Sequence, residues 1–308
     1  MPFLTVILPA HNPHPGRLRR TLRGLKDQTL AASEWELLLI DNASTPALKI
    51  AAYSTDAPSD LRIVSEPRPG LSHARRCGFL KARGKIIVMV DDDNVLAPDY
   101  LERVVANFAA FPSVGALGGP SRPEFETPPA PWQMEFLSLL ALRDLGPAPL
   151  IAGLRTANAA HDTYPACSPI GAGMALRRVA AQAWLDHSDP AELTDRRGNA
   201  LTSGGDNDIV VHVLRAGWDV AYFPELVLTH LIPNSRLDAS YLARLNSGIQ
   251  KSWMQVLLHH GLSDWPRIPR WTVPFRQFKA WFTHRAWSSP AARIRWQGAC
   301  GHFQGRTS

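Results

Sequence analysis

Ile86-Ile87-Val88-Met89-Val90-Asp91-Asp92-Asp93-Asn94 is the stretch that decides the fold class. Five apolar residues in a row, four of them β-branched, describe a strand buried on both faces rather than one alternating between core and solvent. Strands of that kind belong to parallel sheets covered by helices. The run passes without a break into three aspartates, which therefore stand at the carboxyl end of the strand. In open α/β sheets, ligands bind beyond that end.

The pattern recurs upstream. Leu4-Thr5-Val6-Ile7-Leu8 is an apolar run ended by Pro9 and followed by His11 and Asn12. Leu37-Leu38-Leu39-Ile40 ends at Asp41-Asn42-Ala43-Ser44-Thr45, and Leu61 to Val64 is a shorter third run. Between them Leu18, Leu22 and Leu25 recur at helical spacing. Ser72 to Arg83 reads as a helix closed by Gly84. Pro98 suits the first turn of another, whose apolar face is Leu101, Val104, Val105 and Phe108. Strands alternating with helices predict an α/β fold with a mostly parallel sheet flanked by helices. Farther on, Pro120 to Pro131 reads as a loop and Asp206 to Ala216 as a helix. Val220 to Phe223 and Val227 to Thr229 read as strands, with His230 just beyond. From Asp238 the pattern is helical, so a boundary near Arg236 divides the chain into 1–235 and 236–308.

With 308 residues, 45% of them hydrophobic, and a net charge of +6, disorder is excluded. Three scattered cysteines without a CxxC pair exclude a disulfide scaffold and suit a reducing cytoplasm. The opening residues do not read as a signal peptide, and no apolar run reaches the roughly 18–20 residues that span a bilayer. The charge is uneven: Pro266 to Ser308 holds eight Lys/Arg, no Asp/Glu, and Trp271, Trp281, Trp287 and Trp296. Two readings of this tail stand. It is either a platform for an anionic membrane surface or a subdomain that packs its tryptophans and solvates its arginines. Prolines at 266, 269, 274 and 290 oppose one long amphipathic helix. No nucleic-acid-binding module is recognisable, so no nucleic-acid partner is expected.

Three adjacent aspartates repel one another and raise each other's pKa unless a positive charge intervenes. Mg²⁺ or Mn²⁺, which take hard oxygen ligands together with substrate phosphates, would relieve this; a solvated Asp-rich turn is the plain alternative. Gly204-Gly205-Asp206-Asn207-Asp208 opens a helix, where N-capping explains the acids equally well. A lone histidine such as His230 is more often structural than a ligand. Arg75 and Arg76 suit either a phosphate or base contact, or a solvated face. Neither GxGxxG nor GxxxxGK[ST] occurs.

Taken in order, Val6-Ile7-Leu8-Pro9-Ala10-His11-Asn12, Ile40-Asp41-Asn42, Pro69-Gly70-Leu71-Ser72-His73-Ala74-Arg75, Val90-Asp91-Asp92-Asp93-Asn94, Gly171-Ala172-Gly173-Met174-Ala175 and Gly204-Gly205-Asp206-Asn207-Asp208 resemble the inverting glycosyltransferases of family 2. The resemblance implies a GT-A fold with a Rossmann-like nucleotide-binding half, here followed by a helical basic extension. It also implies a nucleotide-sugar donor and Mn²⁺ or Mg²⁺ as cofactor. On that basis Pro9, His11 and Asn12 line the nucleoside pocket, Asp41 meets the base, Arg75 lies near it, and Asp91 contacts the ribose. Asp92 and Gly173 complete the donor set. Asp93 holds the metal, His230 adds a late metal or phosphate contact, and Asp206 is the catalytic base. His11 stands where the family usually has Tyr, Asn42 where it has a second Asp, and Gly205 where it often has Glu. The absence of a QxxRW motif argues against a processive synthase.

The implied chemistry is a single displacement. A cation stabilises charge developing on the diphosphate, and a carboxylate takes the acceptor hydroxyl's proton. The expected acceptor is a glycan or lipid-linked oligosaccharide of a surface polysaccharide, and the expected location is cytoplasmic, peripheral at the inner membrane face. A nucleotidyltransferase and a catalytically inactive sugar-nucleotide-binding protein are the alternatives.

Overall fold

The computed structural model describes residues 2–154, 162–187 and 201–307. In chain order the elements are β1 (Leu4–Ala10), α1 (Pro15–Lys26), β2 (Trp35–Asp41), β3 (Leu61–Ser65), α2 (Leu71–Lys81), β4 (Ile86–Met89), β5 (Asn94–Leu96), α3 (Tyr100–Ala110), β6 (Val114–Gly118) and β7 (Ser121–Phe125). There follow β8 (Leu150–Ala152), β9 (Ala175–Arg177), α4 (Arg178–His187), α5 (Gly205–Arg215), β10 (Asp219–Tyr222), β11 (Leu228–Ile232), α6 (Ala239–His259), α7 (Val273–Thr283) and α8 (Pro290–Gly305). The chain forms two compact units. One comprises Met1–Glu124, Leu142–Ser188 and Ile209–Leu231; the other comprises Phe125–Ala141, Asp189–Asp208 and Ile232–Ser308.

The first unit is built on an eight-stranded sheet in the order β3-β2-β1-β4-β9-β6-β10-β8. The strands β3, β2, β1 and β4 run parallel, as does the β6–β10 pair, while β9 and β8 are antiparallel to their neighbours. The continuous apolar runs are explained by burial on both sides. Val6 and Leu8 join Leu18, Leu22, Leu25, Leu101 and Val104 on one face. Ile7, between them, packs with Ala74, Phe79, Trp184 and Val210 on the other. A second sheet, β5-β11-β7, takes its first strand directly from the aspartate turn after β4. The sheet is therefore mixed and mostly parallel with helices on both faces, as the sequence predicts.

Some boundaries differ from expectation. The helix expected over Ser72 to Arg83 ends at Lys81, and Ala82 is already extended. Gly84 serves a different purpose from a helix cap: a Cβ there would lie 2.6 Å from the backbone of Leu4 and Thr5, so only glycine lets β1 pass. Pro98 lies ahead of α3 rather than in its first turn. β11 runs to Ile232, so His230 lies within a strand, paired with Asn94, and not beyond one.

In the second unit α6 packs along α8. Gly298, Gly301 and Gly305 form a seam on α8 where any Cβ would collide with Asn246, Ser247 or Lys251 of α6. Asn246 Nδ2 also donates to the Ile294 carbonyl at 3.0 Å. Among the described residues no helix is long and apolar enough to cross a membrane.

Candidate functional site

The parallel strands of the first unit deliver their polar ends to one edge of the sheet. β1 ends at Pro9-Ala10, and the chain turns through Asn12 at φ 46°, a left-handed conformation that Asn tolerates. The Asn12 backbone N–H donates to Ser44 Oγ at 3.0 Å, and its side-chain oxygen accepts from the Thr45 N–H at 2.8 Å. His11 Nδ1 lies 2.6 Å from the Asn42 carbonyl, so Nδ1 carries the hydrogen; Nε2 is then free to accept from Asn12 Nδ2 at 3.3 Å. His11 and Asn12 are exposed at this edge.

Asp41, at the end of β2, is 5% exposed. Its two carboxylate oxygens accept from the backbone N–H groups of Ser44 and Leu48 at 3.1 and 2.9 Å, which shapes the following loop. Asn42 reaches the other way. Its side-chain nitrogen donates to the carbonyls of Glu66 and Arg68, and its oxygen accepts from the Gly70 N–H. Gly70, at φ 136°, opens α2, which carries the buried Arg75. The β1, β2 and β3 loops are thus tied together before any ligand is considered.

After β4, the aspartates form a tight turn in which the Asn94 N–H donates to the Asp91 carbonyl at 3.1 Å. Asp91 and Asp92 are half-buried; Asp93 is 4% and Asn94 0% exposed. Pairing of β5 with β11 brings His230 Nε2 to 3.4 Å from Asp93 Oδ1, although 137 residues separate the two in sequence. The Leu231 N–H donates to the Asp93 carbonyl at 2.9 Å, fixing that register. His230 Nδ1 is buried and has no hydrogen-bond partner among the described residues. A buried polar atom in that state costs about 1–3 kcal/mol.

Gly173 lies beside this turn, since its N–H donates to the Met89 carbonyl at 3.0 Å. Its φ is 76°, and a Cβ there would stand 2.6 Å from both Tyr100 Oη and Leu228 Cδ2. Tyr100, fully buried, donates to the Gly173 carbonyl at 2.6 Å. Burial pushes the Tyr100 phenol above its usual range, so it stays a donor at any pH of interest.

The Asp206 turn belongs to the second unit and is shaped by α6. The Ser203 N–H donates to Ser252 Oγ at 3.2 Å, and Gly204 packs against Ser252 and Val256. Two residues on, Asp208 Oδ1 lies 2.7 Å from His260 Nε2, with both side chains at most 5% exposed. Asp206 itself is half-buried in the first turn of α5, where its carboxylate accepts from the Asn207 N–H at 3.0 Å.

The structure therefore gathers Pro9, His11, Asn12, Asp41, Asp91, Asp92, Asp93, Gly173 and His230 at the sheet edge, with Arg75 on the adjoining helix. It also adds Asn42 and Tyr100, which have no assigned role in the sequence; within the second unit, His260 meets Asp208. Asn42 was visible as a departure from the usual acid. Nothing in the sequence signals His260, which lies 52 residues from Asp208.

The sequence profile of the family described as "Glycosyl transferase family 2" matches residues 5–184. An N-acetylglucosaminyltransferase of Mesorhizobium japonicum is 25% identical over 243 residues, covering 76% of this chain and 52% of that protein. The succinoglycan biosynthesis protein ExoM of Rhizobium meliloti is 24% identical over 253 residues, covering 80% of this chain and 73% of its own length. The chain spans about half or less of the length of the first curated relatives it matches. Among solved structures, the mannosyltransferase PcManGT from Pyrobaculum calidifontis, in complex with GDP-Man and Mn²⁺, superposes with a TM-score of 0.57 at 21% identity, covering 95% of this chain and 73% of that one. Residues 1–349 of TarS from S. aureus give 0.52 at 14% identity, with 99% and 90% covered. These structural likenesses concern the fold.

Proposed function

Because this chain belongs to glycosyl transferase family 2, we propose that it moves a sugar, with inversion, from a nucleotide-sugar to a glycan or lipid-linked acceptor of a surface polysaccharide. A UDP-sugar is the first donor to test. Relatives named for succinoglycan biosynthesis support the polysaccharide context. Family membership sets aside the nucleotidyltransferase alternative.

The observation that carries the reading is the contact of Asp93 with His230 at the end of the buried strand. A carboxylate oxygen and the imidazole Nε2 3.4 Å apart are two neighbouring ligand atoms of the kind a divalent cation takes together with phosphate oxygens. Asp93 and His230 would hold Mn²⁺ or Mg²⁺, which when bound offsets charge on the leaving diphosphate. Asp41, with Pro9, His11 and Asn12 alongside, bounds the base pocket, and Arg75 stands on the helix behind it. Asp91, Asp92 and Gly173 face the ribose and diphosphate. Asp206 accepts the acceptor hydroxyl's proton as that oxygen attacks, and its half-buried setting keeps the carboxylate reachable.

The experiment is a donor screen. Purified protein is incubated with UDP-, dTDP- and GDP-sugars and Mn²⁺ or Mg²⁺, and nucleoside diphosphate release is followed with and without EDTA. Release from one donor, abolished by EDTA and by Asp93→Ala, is expected. Asp206→Asn should lower transfer by roughly 10²–10⁴ while leaving donor binding intact. Full transfer by Asp206→Asn would remove it as the base. Donor binding without turnover under any acceptor would favour a sugar-nucleotide-binding protein.

A further inference from the structure

Helix α7 turns its apolar side to solvent. Phe275, Phe278 and Phe282, spaced three and four residues apart on one side, are 69%, 67% and 54% exposed. Trp271 precedes the helix and Trp287 follows it, at 72% and 58%. Edge-on ring contacts join Trp271 to Phe275 and Phe278 to Phe282, and Phe282 to Trp287. The opposite side of the helix is already occupied. Val273 and Ala280 are buried, Trp281 packs edge-on against Trp296 with ring centroids 4.7 Å apart, and Trp296 Nε1 donates to the Gln277 carbonyl at 3.0 Å. So the tail sorts its tryptophans: Trp281 and Trp296 form the seam with α8, while Trp271 and Trp287 stay out. The five outward rings expose roughly 600 Å² of aromatic surface, at the upper end for a patch on a soluble chain.

Charge selects the occupant. Arg270, Arg276, Lys279 and Arg285 flank this row and are exposed. Among the described residues none of the four has a carboxylate partner, and residues 266–308 contain no acid at all. A second copy docking the same face would bring like charge onto like charge. An anionic bilayer meets both features at once, because aromatic rings settle at headgroup depth and Lys/Arg pair with lipid phosphates.

We propose that the outward face of α7, with Trp271 and Trp287, docks this protein on an anionic lipid bilayer. The inference does not depend on the donor or metal assignment and is tested without turnover. The full chain is floated with vesicles of phosphatidylcholine containing 30% phosphatidylglycerol, and with phosphatidylcholine alone, at low and high salt. Binding is expected on the anionic vesicles and should weaken with salt. Arg276→Ala and Lys279→Ala should each lower the partition coefficient by about five-fold. Phe275→Ser, Phe278→Ser and Phe282→Ser should each lower it by roughly ten-fold, with unchanged circular dichroism because all three are exposed. Should a serine variant fail to fold, the parent itself reports: tryptophan emission should shift to the blue and be quenched by brominated lipid. Absence of binding at low salt, binding indifferent to the phenylalanines, or no quenching would overturn the proposal. So would a dimer in sedimentation that the serine variants dissolve, which would make the face a self-association surface.

Discussion

Replacing Asn42 by Asp changes almost no volume and inverts one half of a side chain's hydrogen bonding. Asn42 is 4% exposed. Its nitrogen faces the carbonyls of Glu66 and Arg68 at 3.1 and 2.7 Å, and its oxygen faces the Gly70 N–H at 2.8 Å, so the network itself fixes the amide's orientation. In Asn42→Asp the second oxygen meets two carbonyl oxygens and donates nothing. Two lost bonds cost about 1 kcal/mol each, and the buried Glu66 carbonyl and part-buried Arg68 carbonyl left beside a charge add about 1–3 kcal/mol, a total of about 3–5 kcal/mol. For a unit of about 190 residues this lowers Tm by about 6–20 °C. The pH dependence is diagnostic. Burial and the two carbonyls raise the new carboxyl's folded pKa above its unfolded value, so folding takes up a proton and the variant regains stability as pH falls through that raised pKa toward the unfolded value near 4. Thermal melts of parent, Asn42→Asp and Asn42→Ala from pH 4.5 to 8 test this. If Asn42→Asp melted with the parent and showed no dependence on pH, the explanation of why an amide stands here in place of the usual acid would be wrong.

Four further outcomes are expected. Tyr100→Phe removes the buried donor to the Gly173 carbonyl and should cost about 1–3 kcal/mol in denaturant unfolding; Gly173→Ala, strained at φ 76° and crowded by Tyr100 and Leu228, should cost more and weaken donor binding in calorimetry. The hydrogen bond from Arg23, with Arg19 adding, holds the Asp56 carboxyl below the usual carboxylate range against the effect of its burial. Arg68 does the same for Glu66. Folded pKa values below the unfolded ones mean stability present above about pH 4 and lost as pH falls further; Arg23→Ala should flatten that part of the pH–Tm curve. Burial pushes the Cys300 thiol up to about 11 and raises those of Cys77 and Cys167, so alkylation of the folded protein at pH 8 should be slow for all three and fast after denaturation.

The parts of the fold that could be read in the sequence are those whose signal is local. β1, β2 and β4 are continuous apolar runs because both their faces are covered, and each announces its carboxyl end with a Pro or Asp. β9 is three residues long and antiparallel to both β4 and β6; its place depends on pairing partners far away in sequence, which no window of residues records. The same holds for His230, whose position within β11 follows from its register with Asn94. Gly84 looked like a helix terminator because glycine serves both purposes, and only the approach of β1 distinguishes them. The tail was legible in charge and composition. Which tryptophans pack and which face water was not, because Trp281 and Trp287 are equivalent as letters and differ only in what lies across from them.

The strand pairing that joins Asp93 to His230 also sets a timetable for synthesis. The aspartates leave the ribosome 137 residues before the histidine that meets them. At about 5–20 residues per second that interval is roughly 7–30 s, during which β5 has no β11 to pair with. The nascent chain can lay down β1, β2, β3 and β4 early, since β2, β3 and β4 each lie beside a neighbour already made. The acidic turn acquires its partner only near the end of the first unit's translation. A chain interrupted between Gly118 and Leu228 would carry the three aspartates and strands β1 to β4 beside them, yet never assemble the pair at their centre.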